Sequence, residues 1–300
     1  MNRAYRFIKA RDGVMFGIFL ACAVFSVLAL GCICVFLFAS ATPFIAKVGL
    51  ANFFGTNWNL NENSYGILSM IVASLYVTAL STVLGVTIGL FTSLSLYKFT
   101  PKRFVPSIQQ MINLLAGIPS VIFGLFGLII IVPFLRDNVS PTGIGYGILA
   151  ASLVLAIMIL PTIVSVSLDA LNSVPRNYHE GALALGATQE QSVFSVMLPA
   201  AKSGIFAAVV LAIGRAIGET MAVIMVIGGS PVMPTGLFQS VRTLTANIAM
   251  GALELSGDHK TALVASGLVL FFFVLVLNIC FSLLKGGALR EKPSPQPAST

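Results

Sequence analysis

The chain has 300 residues, of which 57% are hydrophobic and 9% charged, and its mean hydropathy is +0.97. Soluble domains carry about 25% charged residues, so this composition excludes a soluble globular fold. The net charge of +7 comes from Lys and Arg that flank apolar runs, which argues against a nucleic-acid-binding patch.

Crossing about 30 Å of hydrocarbon takes about 20 apolar residues, and six runs are long enough. The first is Val14 to Phe38. Ala39-Ser40-Ala41 after it resembles a signal-peptidase site, but the run exceeds the roughly 7 to 15 residues of a signal-peptide core, so a retained helix is expected. Cys22, Cys32, Cys34 and Cys280 all lie in apolar runs without CxxC or zinc-ligand spacing and are expected to be buried hydrophobes. Thr42 to Gly66, with Trp58 and the polar run Asn59 to Ser64, separates this helix from the second span, Ile67 to Leu94. Tyr97 to Ser107 is basic, holds two prolines and is expected to turn on the cytoplasmic side.

The third span is Ile108 to Leu135, with a kink expected at Pro119 and close helix contacts at Gly117, Gly124 and Gly127. After the turn-rich loop Arg136 to Gly147 comes the fourth span, Ile148 to Leu168, with a second kink expected at Pro161.

Asp169 to Lys202 is a polar interruption between two membrane-length runs. Pro175 suits a helix start, where its missing N–H is no loss. Ala182 to Leu185 are good helix formers, and Gly186 can break the helix. Gln189 to Met197 can form a second short helix, ended by Pro199. The expectation is a helix-turn-helix small enough to fit a cleft in a partner. His179 and His259 are the two histidines, and His179, beside Glu180, is expected on the coupling surface.

The fifth span is Gly204 to Ile227. Gly214 and Gly218 form GxxxG, expected to let a neighbouring helix approach. Arg215 and Glu219 are the formal charges well inside a span and, at i and i+4, would share one helix face and pair. An Arg at a helix centre costs about 2.5–3.5 kcal/mol to insert, and such groups usually face a bundle interior or aqueous cavity. Two readings stand open: Arg215 meets an anion while Glu219 orients it or closes a gate, or the two form a self-neutralising structural pair.

Gly228 to Thr261 follows, with an interfacial or re-entrant helix expected within Gly236 to Leu255. The sixth span is Ala262 to Leu284, and the Pro- and Ser-rich tail from Arg290 is expected to be disordered. The chain thus divides into an N-terminal helix and external segment (1–66), a five-helix core (67–288) carrying the loop 169–202, and a tail (289–300). With both termini cytoplasmic, that side holds 12 of the 17 Lys and Arg; Lys47, Arg136, Arg242 and Lys260 lie opposite, and Arg215 lies within a span.

Four stretches carry a family resemblance. Glu180-Gly181-Ala182, Gly186 and Val196-Met197-Leu198-Pro199 have the spacing of the EAA loop of ABC importer permeases, with Gly181 where Ala is usual and Val196 where Ile is usual. Gly214 to Ala222 resembles the fifth-span signature of phosphate ABC importer permeases, and Ala116 to Gly124 their third-span signature. Phe54-Gly55-Thr56-Asn57-Trp58 and Tyr65-Gly66-Ile67 resemble the external segment before their second span. The chain therefore resembles Pst-type permeases, most nearly the PstC type.

That resemblance implies an all-α integral membrane protein with six transmembrane helices and the type I importer fold, in the bacterial inner membrane. It implies a PstA-type second permease, a dimer of PstB-type ATPases and a periplasmic PstS-type phosphate-binding protein. The ATPase would be coupled through Glu180, Gly181, Ala182, Gly186, Leu198 and Pro199. The substrate pathway would include Arg215, Glu219, Ser120 and Thr220. No Gly-Lys dipeptide occurs, so the chain holds no G-x-x-x-x-G-K-[ST] phosphate loop; ATP and Mg belong to the partner, and no cofactor, metal or catalytic residue is expected here. The alternatives are an ABC permease for another oxyanion or small solute, or a secondary anion transporter or channel. The last predicts internal repeats, which the sequence lacks, and leaves the EAA spacing unexplained. An intramembrane enzyme would have only Arg215 and Glu219 at depth.

Overall fold

The computed structural model describes residues 3–252 and 256–288. The expected disordered tail lies outside the described residues.

Helix α1 (Arg3–Val48) runs past the expected end at Phe38 and through Pro43, so the start of the external segment is helical. Its membrane-length stretch, Val14–Val48, buries none of its most apolar window within the chain. At about 1.5 Å per residue those 35 residues outreach the hydrocarbon. The far end is anchored by aromatic edge contacts: Phe44 against Phe53 and Tyr65, and Trp58 against Tyr65. Cys22, Cys32 and Cys280 are exposed and Cys34 half-buried, not buried as expected. They lie on faces of α1 and α14 that this chain leaves wholly or partly uncovered.

After α2 (Leu50–Phe53), strands β1 (Trp58–Asn59) and β2 (Ser64–Tyr65) form a hairpin the sequence does not announce. A Cβ on Gly66 would sit 2.5 Å from the Gly55 carbonyl oxygen, and the Gly66 N–H donates to the Asn57 carbonyl at 2.8 Å. Backbone packed on backbone thus explains the glycines in both halves of the external signature.

Helix α3 (Leu68–Leu94) packs along α7 (Ile148–Asn172), which is the central helix: 67% of its most apolar window is buried. In a membrane, association rests on close van der Waals contact and not on water exclusion, so small residues line the seam. A Cβ on Gly85 would meet Ile159, and one on Gly89 would meet Ile163. α7 carries Pro161 inside a continuous helix.

The third span is broken. Helix α4 (Val105–Ala116) ends, Gly117 to Pro119 form a bend, and α5 (Ser120–Phe126) starts afresh and continues through a π turn into α6 (Val132–Asn138). Pro119 is extended at ψ 140° and serves as the N-cap, so a missing N–H falls where no bond is lost.

The polar interruption forms α8 (Arg176–Ala184), α9 (Gln189–Ser192), a π turn and α10 (Leu198–Ala200). Pro199 does not end the second helix. The π turn shifts the Leu198 N–H onto Val193, and the helix carries Pro199 in its next turn. A 69° bend then leads into α11 (Lys202–Gly218).

The fifth span is also broken: α11 ends at Gly218, Glu219 is extended, and α12 (Met221–Val226) follows. The expected external helix is α13 (Leu244–Gly251), which buries Leu244, Thr245, Ala246 and Asn247 in the bundle and does not lie at its edge. Helix α14 (Asp258–Ala288) closes the chain against α1, with Phe38 edge-on to Phe272 at 5.6 Å. Five helices are long and apolar enough to cross a membrane, and the bent pair Gln189–Ala200 with Lys202–Gly218 gives a sixth. Apart from one two-residue hairpin, the described fold is helical.

Candidate functional site: a broken-helix pathway and a clasped coupling loop

The helices that follow the two breaks pack together. A Cβ on Gly124 of α5 would lie 2.9 Å from Ala222 Cα and 2.8 Å from Met225 Sδ of α12. The third- and fifth-span signatures are therefore one packed unit, joined by the helices that follow each break. Gly127 adds to the seam against Val154 and Val226. Gly117 meets only the Leu114 carbonyl of its own turn. Gly214 and Gly218, expected to receive a neighbouring helix, have nothing among the described residues within 4 Å of a Cβ, so there their face is open.

The break also overturns the i, i+4 argument for Arg215 and Glu219. That spacing brings side chains together only while the helix continues. Glu219 has left it, at φ −72° and ψ 126°, and its Oε1 accepts from the Ala222 N–H at 3.1 Å, capping α12. Among the described residues the ion pairs are Lys47–Asp258 and Arg136–Asp137; Arg215–Glu219 is not one. Arg215 remains in the last turn of α11, where a cation suits the carbonyl end of the helix. Thr220 Oγ1 donates to the Gly218 carbonyl at 3.4 Å, and Ser120 opens α5. All four are half-buried; Arg215, Glu219 and Thr220 flank the fifth-span break and Ser120 the third-span break, and no hydrogen bond joins any two of them among the described residues.

Sequence reasoning missed what holds the break open. Thr245 of α13 donates to the Glu219 carbonyl at 3.3 Å, and the Leu244 N–H donates to Ser74 Oγ of α3 at 3.0 Å. Ser74, Thr78, Glu219, Thr243 and Thr245 thus converge around the gap. A broken helix at membrane depth needs such partners for its freed backbone groups. A further polar cleft of about 200 Å³ lies between α4 and α7, lined by Gln109, Asn113, Ser165 and Asp169. The available signal was polar residues interrupting apolar runs.

α7 orients the whole. Its start lies beside the 226–241 segment, where the Gly147 N–H donates to Val226 and the Leu149 N–H to Leu237. Its other end leads, 25 residues and about 37 Å away, into the polar loop of α8 to α10.

That loop is a clasped helical hairpin. Gly186 adopts φ +87°; its N–H donates to the Leu183 carbonyl at 3.0 Å and the Ala187 N–H to the Ala182 carbonyl at 3.1 Å, a Schellman ending for α8. Thr188 and Gln191 then form a reciprocal capping box on α9. His179 is buried, not on the coupling surface, with its Nδ1 2.7 Å from Ser192 Oγ, so it ties α8 to α9. Burial, then the nearby Lys98, push its pKa below the ordinary 6.5, while Glu180 pulls the other way. The balance favours the neutral imidazole. Leu185 is 92% exposed, with Tyr178 and Phe194 about half exposed, leaving an apolar tip on a polar loop. Glu180, Gly181 and Pro199 lie on the same hairpin and are exposed, with Ala182 and Leu198 half-buried.

The comparisons with known proteins agree with this architecture. The family described as "Binding-protein-dependent transport system inner membrane component" matches residues 85–286. The chain is 40% identical over 230 residues to the "Probable ABC transporter permease protein YqgH" of Bacillus subtilis, covering 74% of each chain. It is 33% identical over 276 residues to the "Phosphate transport system permease protein PstC" of Mesorhizobium japonicum, covering 86% of this chain and 84% of that one. Among solved structures, a bacterial alginate ABC transporter in complex with its alginate-bound periplasmic protein matches with TM-score 0.66 at 17% identity, covering 94% of this chain and 97% of the other. The MetNI methionine ABC transporter matches with TM-score 0.59 at 22% identity, covering 75% and 95%. At these identities the structures share the fold, while the sequence matches settle the family: this chain is a multi-pass membrane protein belonging to the inner membrane components of binding-protein-dependent transport systems.

Proposed function

We propose that the chain is a permease subunit of an ATP-driven phosphate importer. It forms the translocation pathway with a PstA-type second permease and takes its driving force from a PstB-type ATPase dimer that holds ATP and Mg. A PstS-type periplasmic protein delivers phosphate to the face opposite the coupling loop. Both termini lie in the cytoplasm.

One observation carries the coupling: a rigid helical hairpin, clasped by His179 and Ser192, presents the apolar tip of Leu185 at the end of the central helix. An exposed apolar tip on a polar loop marks a protein contact. The open face of Gly214 and Gly218 on α11 suits the second permease. The phosphate assignment is supported by the fifth-span signature and by relatives that carry PstC names. In the pathway, Arg215 offers bidentate donors to an oxyanion. Glu219 holds the α12 start and can shift its proton-accepting oxygens only by releasing that cap.

The test is ATP-dependent phosphate uptake by the co-purified complex in vesicles. Arg215→Gln should abolish uptake. Glu219→Gln keeps a capping acceptor and should retain assembly. Because the two are not paired in this structure, the double variant should stay as inactive as Arg215→Gln. Recovery in the double would restore the structural-pair reading and remove the anion contact.

A further inference from the structure

The segment between α12 and α13 contains a second arginine that neither the fifth-span signature nor the coupling loop accounts for. Arg242 is half-buried where Val241 bridges Gly228. Its Nε donates to the Gly229 carbonyl at 2.7 Å and its Nη1 to Asn247 Oδ1 at 3.1 Å. Both partners are neutral, and among the described residues no carboxylate pairs with it. A guanidinium has five N–H donors, so three remain. Burial pulls its pKa down from the ordinary value, though a guanidinium stays charged throughout the working range.

Its neighbour is incomplete as well. Asn247 is 2% exposed, yet its Nδ2 has no hydrogen-bond partner. A half-buried cation with three donors to spare, hydrogen-bonded to a buried amide whose own N–H group has no acceptor, forms an unfilled donor set. Such groups are costly to leave unmade. The backbone beside them is built for close approach: Gly228 and Gly229 adopt φ +94° and +88°, and Ser230 and Ser240 hydroxyls lie 3.0 Å apart. The segment sits at the α7 end remote from the coupling loop, and Thr245, three residues from Arg242, holds the Glu219 carbonyl in the pathway break.

We infer that Arg242, positioned by Asn247, is an oxyanion-binding residue at the entrance of the pathway, receiving a tetrahedral anion before it reaches Arg215. The inference rests on the phosphate-importer reading above. A merely structural role would make Arg242 a strut between Gly229 and Asn247, and the two roles respond oppositely to one substitution. Asn247→Asp is nearly isosteric and sets a carboxylate oxygen where Oδ1 now accepts from Nη1. A strut would be strengthened by the new ion pair. An anion site would be filled by its own carboxylate.

The experiment measures ATP-dependent uptake of inorganic phosphate by the whole importer in vesicles, as a function of phosphate concentration, with thermal stability of the same preparations. The expected result is that Asn247→Asp raises the apparent KM by roughly tenfold or more, at unchanged or higher stability. Arg242→Gln, which keeps a neutral donor, should raise KM similarly, and Arg242→Lys, which keeps charge without the fork, by less. Asn247→Asp with a wild-type KM and raised stability overturns the inference. Should that variant not assemble, a wild-type KM in Arg242→Gln overturns it equally. A wild-type complex that couples ATP hydrolysis yet moves no phosphate overturns the phosphate reading, and this inference with it.

Discussion

Gly186 offers the sharpest test of how the loop is held. Its φ of +87° lies in the left-handed region, and a Cβ there would have nothing within 4 Å. Gly186→Ala therefore introduces no clash, and its whole cost is the left-handed backbone, about 1–2 kcal/mol. Through the Schellman ending that cost acts on the turn joining α8 to α9. It should lower the population of correctly folded hairpins by about 5- to 30-fold relative to alternatives. Gly186→Asn pays little of that penalty, because Asn tolerates left-handed backbone. Gly186→Asp shares that tolerance and adds only charge to the tip. ATP-dependent uptake, with co-purification of the ATPase at matched abundance, should rank wild type, then Asn, then Asp and Ala. Equal activity of Ala and Asn would refute the conformational argument, and full activity of Asp would refute docking of this tip in a cleft.

Three further outcomes follow from the packing and the charges. Gly124→Ala should destabilise by about 1–3 kcal/mol, because the new methyl meets the Ala222 backbone, which cannot move aside like a side chain; an unchanged melting temperature of the purified complex would contradict the α5–α12 seam. The His179 clasp should be intact above about pH 6.5 and weaken as pH falls through the depressed folded pKa, since the unfolded chain then binds more protons. Protection factors of the α8 and α9 amides, taken against the intrinsic exchange rate at each pH, should fall on acidification and lose that dependence in His179→Gln; a constant protection factor in wild type would refute it. A reporter active only in the periplasm, fused after Thr300, should be silent, and activity there would reverse the assigned orientation.

The sequence by itself determined the class of molecule. Apolar run length fixes how many segments can cross hydrocarbon, and the Lys and Arg bias sets which side each loop prefers; both are additive along the chain and need no tertiary information. The helical hairpin was legible for a similar reason, since the turn at Gly186 acts through neighbours within a turn or two; the Thr188 and Gln191 cap is as local but came from the structure. What hydropathy could not register was continuity. A run such as Gly204 to Ile227 counts as one span whether or not the backbone breaks inside it, so Arg215 and Glu219 looked like a helical pair. Only the tertiary structure decided otherwise. Thr245 from α13 and Gly124 from α5 supply the hydrogen bond and the close contact that stabilise the break, and both come from distant parts of the chain. His179 shows the same division: its identity suggested an exposed contact, but Ser192 is thirteen residues away, and only folding the hairpin buries the imidazole between two helices.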